Sequence, residues 1–167
     1  MIMPDQIDGK RVLLEPLETA AVPASAGPVV IRDFFKNNTR VKFSTIFAEF
    51  KSRFFDKTED PLAQAIYRKY KLLQISADGP IIAELGGESK VEGSFGAAFA
   101  LLQGQPHGEA GFFQVNGYAN IFYVRDKKKS LCAVRMGWAS DGWVVDAISV
   151  EDPLAWNGKH LIFCPQY

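Results

Sequence analysis

Apolar positions recur at helical spacing through the first two thirds of the chain and alternate at period two from about residue 110 onward. That change predicts an α+β protein, with a helix-rich half, 1–108, packed on an antiparallel β-meander over about 112–164 in the half 109–167. The two halves read as one globular domain, 1–167. Arg11-Val12-Leu13-Leu14-Glu15 reads as a short opening strand stopped by Pro16, and Thr19 to Pro28 as a loop. Val29 to Phe35 fits a strand or a helix equally well.

Three helices are predicted. The first covers about 44–56, with Phe43, Ile46, Phe47, Phe50 and Phe54 on one stripe. The second covers 61–74: Asp60 caps it, Pro61 occupies its first position, and Leu62, Ile66, Tyr70 and Leu73 line its inner face. The third covers 89–103, opening on the capping box Ser89-Lys90-Val91-Glu92 and running through Val91, Phe95, Phe99 and Leu102 to a stop at Gly104.

In the meander, Asn116-Gly117 predicts a tight turn between strands Phe112–Val115 and Ala119–Arg125. Lys127-Lys128 turns Phe122-Tyr123-Val124 into Leu131–Val134, and Ala139–Gly142 turns Val134–Trp138 into Trp143–Val150. A last strand covers His160 to Cys164. If Trp138 opposes Trp143, Arg135 opposes Asp146 and Cys132 opposes Ser149. If Asp126 opposes Lys129, Tyr123 falls beside Cys132 and Ile121 beside Val134. Both faces are then largely apolar, which calls for cover on both sides: helices on one, and curvature, the N-terminal segment or a partner, a second copy of the chain included, on the other.

Composition narrows the function classes. The 167 residues are 47% hydrophobic and 23% charged, with 19 basic against 19 acidic side chains, which is globular composition with no basic excess for nucleic acid or a membrane surface. No apolar run is long enough to span a bilayer, and Met1–Asp5 lacks the features of a secretory signal, so the expected location is cytoplasmic. Cys132 and Cys164 lie far apart and outside any C-x-x-C spacing, so neither a disulfide framework nor a metal site is expected; export would make a Cys132–Cys164 bridge plausible. No cofactor motif occurs: Gly86-Gly87-Glu88-Ser89-Lys90 lacks phosphate-loop spacing, and His107-Gly108-Glu109 lacks the cysteines that a zinc deaminase needs.

The candidate ligand-binding residues are Arg135, Asp146, Trp156, Tyr123, Trp138 and Trp143. Opposite charges on an apolar sheet face are either a structural ion pair or the polar end of a pocket, and aromatics with polar tips either fill a core or present a binding surface. Trp156, in the loop Asp152–Gly158, either staples that loop or is offered for binding. A cysteine nucleophile would pair Cys132 with His160 from a neighbouring strand. The segment Arg32–Lys71 carries 10 basic against 5 acidic residues interleaved with phenylalanines, a pattern shared by amphipathic elements and nucleic-acid surfaces. The leading function is therefore non-catalytic: a small-ligand or protein-interaction module with an aromatic-lined pocket or surface. A small enzyme acting on a compact anionic substrate through Arg135 and Asp146 is the alternative, and nucleic-acid binding through 32–71 the minority reading.

Overall fold

The computed structural model describes residues 12–167 and, as backbone, the antiparallel pair Gln6–Ile7 and Lys10–Arg11. Met1–Asp5, read above for processing signals, lie outside the described residues. Eight strands form one mixed sheet: β1 (Leu14–Val22), β2 (Phe43–Ile46), β3 (Ala65–Leu72), β4 (Glu92–Gly93), β5 (Asn120–Arg125), β6 (Leu131–Ala139), β7 (Gly142–Ser149) and β8 (Leu161–Pro165). Their order is β1-β3-β8-β5-β6-β7-β2, with β4 beside the second half of β5. The pairs β8/β5, β4/β5 and β7/β2 are parallel, and the rest are antiparallel. Five helices occur among the described residues: α1 (Ile31–Lys36), α2 (Ala48–Phe54), α3 (Asp78–Glu84), α4 (Glu88–Val91) and α5 (Phe95–Leu102). No helix among the described residues is long and apolar enough to cross a membrane.

Each face of the sheet carries its own core. On the first, Phe50, Phe54, Phe95, Phe99 and Leu102 from α2 and α5 cover Phe122, Val134, Met136, Trp143 and Phe163. On the second, Ile81 and Ile82 of α3 and Val91 of α4 cover Ile121, Tyr123, Ala133 and Ile162. Over β5 and β8 this second face is covered by helices. Arg135, Gly137, Val144 and Asp146, on β6 and β7, remain only partly covered.

The helix expected over 61–74 is instead strand β3. Tyr67 and Lys69 face the first core, whereas Tyr70 and Leu72 face the second, an alternation that a helix does not give. The stripe of Leu62, Ile66, Tyr70 and Leu73 misled because Ile66 and Leu73 are exposed; β3 is held by β1 on one side and β8 on the other. The helix over 44–56 begins only at Ala48, because Phe43–Ile46 pairs with β7. The helix over 89–103 is broken in two. Glu92–Gly93 extends to pair with β5, and Ser94 rather than Ser89 is the capping side chain, accepting from the Ala97 N–H at 3.1 Å.

Two loops are corrected as well. Pro16 does not stop β1, since a residue without an N–H is tolerated on an edge strand and the register shifts there. Phe112–Val115 is not a strand. Its backbone is satisfied by two buried amides: Gln105 bonds Glu109 O, Phe113 O and Phe113 N–H, and Asn120 bonds Gln114 N–H and Gln114 O.

The β6/β7 register is the one expected, with Trp138 opposite Trp143, Arg135 opposite Asp146 and Cys132 opposite Ser149. Gly142 closes this hairpin at φ 149°, and a Cβ there would lie 2.6 Å from the Ser44 backbone nitrogen, so only glycine lets β2 approach. The β5/β6 register differs from expectation by one residue: Tyr123 opposes Ala133, and Val124 opposes Cys132. Lys129 takes φ 66°, which adds a third residue to the turn and exchanges the faces of β5. Phe122 and Val124 therefore join Trp143 on the first face, and Ile121 and Tyr123 lie on the second.

Candidate functional site

Adjacent strands carry the Arg135–Asp146 pair on the partly covered half of the second face. The Arg135 Nη2 donates to Asp146 Oδ2 at 3.1 Å, and Asp146 Oδ1 accepts the Ala147 N–H at 2.8 Å. The side chains are 37% and 15% exposed, so the pair is neither sealed nor fully hydrated. Arg135 borders a shallow hollow of about 250 Å³, with Gly137, Ala139 and Val144 on one side and Gly117 and Ala119 on the other. His160 completes its rim.

Sequence reasoning weighed His160 only as a base for a cysteine. Its place here follows from β8 running parallel to β5, which sets His160 beside Ala119. The His160 Nδ1 accepts the Ala119 N–H at 2.8 Å, so the neutral ring carries its proton on Nε2. Burial and the nearby Arg135 charge both hold the imidazole below its usual range. Tyr118 and Trp156 meet the ring edge-on, with centroids 5.6 and 5.7 Å away. The hollow thus brings the Arg135 guanidinium and the His160 imidazole together over small and apolar residues.

The other proposed aromatics, Trp138 apart, do not line the hollow. Trp143 is fully buried in the first core and donates its Nε1–H to Gln105 O at 2.8 Å. Trp138 lies at the hollow, with its ring packed edge-on to Trp143 in the first core. Tyr123 and Trp156 are buried on the second face, and both polar tips bond one acceptor, Asp78 Oδ1, at 2.7 Å. This staples the loop that carries Trp156 to the head of α3. Asp78 was not singled out in the sequence, because one carboxylate at a helix start carries no distinguishing signal.

The cysteine route is not assembled. Cys132 lies on the first face beside Arg53 and Asp126, away from His160 on the second. Cys164 belongs to the second core and contacts Lys90 O, so the two sulfurs lie on opposite faces of the sheet, unbridged. Burial pushes the Cys132 thiol up to about 11, against the opposing pull of Arg53. With that value about one molecule in ten thousand is thiolate at pH 7, so iodoacetamide should label Cys132 only after unfolding. Rapid labelling of the native protein, read by peptide mass spectrometry, would contradict this.

Most of the phenylalanines of 32–71 pack into the first core, with Phe47 exposed. Phe35 contacts Phe43, Phe50, Phe55, Phe95 and Phe99 within the first core, while Arg53 pairs with Glu49 and Asp126. No group of His, Cys, Asp and Glu suited to a metal ion occurs among the described residues. Compared with protein-family models, curated proteins and solved structures, the chain matches none, and the functional reading rests on this geometry alone.

Proposed function

We propose that this chain is a non-catalytic binding module that takes a compact anionic ligand, a carboxylate or phosphate bearing a small apolar body, in the hollow beside Arg135. The observation that carries the reading is the meeting of Arg135 and His160 at one apolar hollow. Asp146 uses one edge of the guanidinium; the other donors have no acceptor among the described residues. An oxyanion accepts from those donors and from the His160 Nε2–H, while the apolar floor takes the ligand body. Catalysis is not favoured, because among the described residues both cysteines are buried and neither is placed beside His160.

Calorimetric titration with benzoate and with inorganic phosphate tests this. Arg135→Ala should weaken binding tenfold or more, on the order of a lost charged hydrogen bond. Asp146→Asn should weaken binding too, by releasing the guanidinium from its orientation, yet cost only about 1 kcal/mol of stability because water can reach the surviving Arg135 side chain, which is 37% exposed. Unchanged affinity in Arg135→Ala would refute the proposal. A steep loss of melting temperature in Asp146→Asn would return the pair to a structural role.

A further inference from the structure

A second hollow lies elsewhere, on the first face, where a cleft of about 500 Å³ opens between α5, β3 and the segment 57–65. Glu59 stands at its base, 7% exposed, with Oε2 and Oε1 accepting the Phe95 and Gly96 N–H groups at 2.7 and 2.8 Å. The helix start is thereby already satisfied by the chain's own carboxylate, so an anionic ligand meets repulsion here rather than a vacant helix terminus. Asp60 and Glu92 add two more carboxylates to the lining; Glu92 is already paired with Arg125 Nε at 2.7 Å, which leaves Asp60 as the carboxylate open to a cation, beside the lining's one cation, Lys57. Lys57 is itself engaged by Arg125 O and lies 3.7 Å from Glu59, whereas Asp60 has no ion-pair partner among the described residues.

Two tyrosines make this more than an acidic cluster. Tyr67 is 2% exposed, and its hydroxyl oxygen receives only a long 3.4 Å contact from the Ser94 N–H. Its own proton has no acceptor among the described residues, and a buried donor left without one is a costly exception in folded proteins. Gly93 is shaped to admit this hydroxyl, since a Cβ there would lie 2.3 Å from it. Tyr167 is 80% exposed at the cleft, yet its hydroxyl is tied to Glu92 O at 2.7 Å, which holds an open aromatic ring at the rim.

We infer that this cleft is a second binding site, selective for a compact organic ammonium carrying a carbonyl acceptor. The carboxylates, Asp60 first, take the ammonium; the Tyr67 hydroxyl donates to the carbonyl; and the Tyr167 ring packs on the cation or its apolar body. The charge preference is opposite to that of the Arg135 hollow, so the two sites fail or hold independently.

Phenylalaninamide is the probe, with N-acetylphenylalaninamide as the same body without the charge. Heteronuclear NMR titration should show shifts at Ala65, Gly93 and Ala97 for the charged probe, and binding roughly tenfold weaker for the acetylated one. Asp60→Asn, Tyr67→Phe and Tyr167→Ala should each weaken the charged probe by about threefold to tenfold. Asp60 and Tyr167 are exposed and Tyr67→Phe removes only an underused hydroxyl, so all three variants should retain the native spectrum. Arg135→Ala should leave phenylalaninamide binding unchanged. Equal affinity for the two probes, shifts confined to residues outside the cleft, or unchanged affinity in Asp60→Asn and Tyr67→Phe would each overturn the inference.

Discussion

Replacing Asp78 by alanine is expected to destabilise the fold by about 4 kcal/mol, because two buried donors lose their only acceptor at once. Those donors are the Tyr123 hydroxyl and the Trp156 indole N–H, both on Asp78 Oδ1 at 2.7 Å. Asp78→Asn keeps that acceptor and should cost within about 1 kcal/mol in urea unfolding. The pair of variants also separates hydrogen bonding from charge. Asp78 Oδ2 is buried without a partner, and burial raises the carboxyl pKa against the lowering effect of the two bonds. For an acid whose folded pKa is raised, the stabilising contribution is complete below its unfolded value near 4 and fades as pH climbs through the folded value. The stability of the wild type relative to Asp78→Asn should therefore fall as pH rises from about 4 toward neutrality. A difference that is flat across that range would show that Asp78 is not titrating abnormally.

Glu59→Ala should cost about 3 kcal/mol, since it strips the acceptors from two buried N–H groups at the start of α5. Glu59→Gln should recover about half, because its amide keeps one oxygen but turns an NH₂ toward a backbone donor. Hydrogen exchange gives the local readout. Amides at the start of α5 should lose protection in Glu59→Ala while those in the β5–β6–β7 meander keep theirs. Equal loss across both regions would mean that the carboxylate supports the whole fold rather than the helix start.

The parts of this fold that were legible in the sequence are those decided by neighbours in the chain. The β6/β7 register follows from a tight turn closed by Gly142 and flanked by Trp138 and Trp143, so the Arg135–Asp146 contact could be read in advance. Across the neighbouring hairpin the backbone of one residue, Lys129, sufficed to slip the register and exchange the two faces of β5. Ala65–Leu72 was illegible for a different reason. Its core positions include Lys69, buried only because Phe112 O and Glu18 receive its ammonium, and neither partner is close in sequence. The site divides along the same line. Arg135 and Asp146 meet locally, whereas His160 reaches them through a parallel β8/β5 pairing between segments forty residues apart. Trp156 and Tyr123 looked like ligand-facing aromatics because their shared acceptor, Asp78, lies far upstream of both.

The central claim is that Arg135 and His160 together hold an anion, and titration of the His160 imidazole by NMR, with and without saturating benzoate, tests it most directly. In the free protein His160 should titrate below its usual value of about 6.5, held down by burial and by Arg135. A carboxylate bound between the two side chains neutralises the guanidinium's influence and favours the imidazolium, so benzoate should move that titration upward, and Arg135→Ala should abolish the response by removing the site. A His160 titration that is the same with and without benzoate, or that responds equally in Arg135→Ala, would contradict the account.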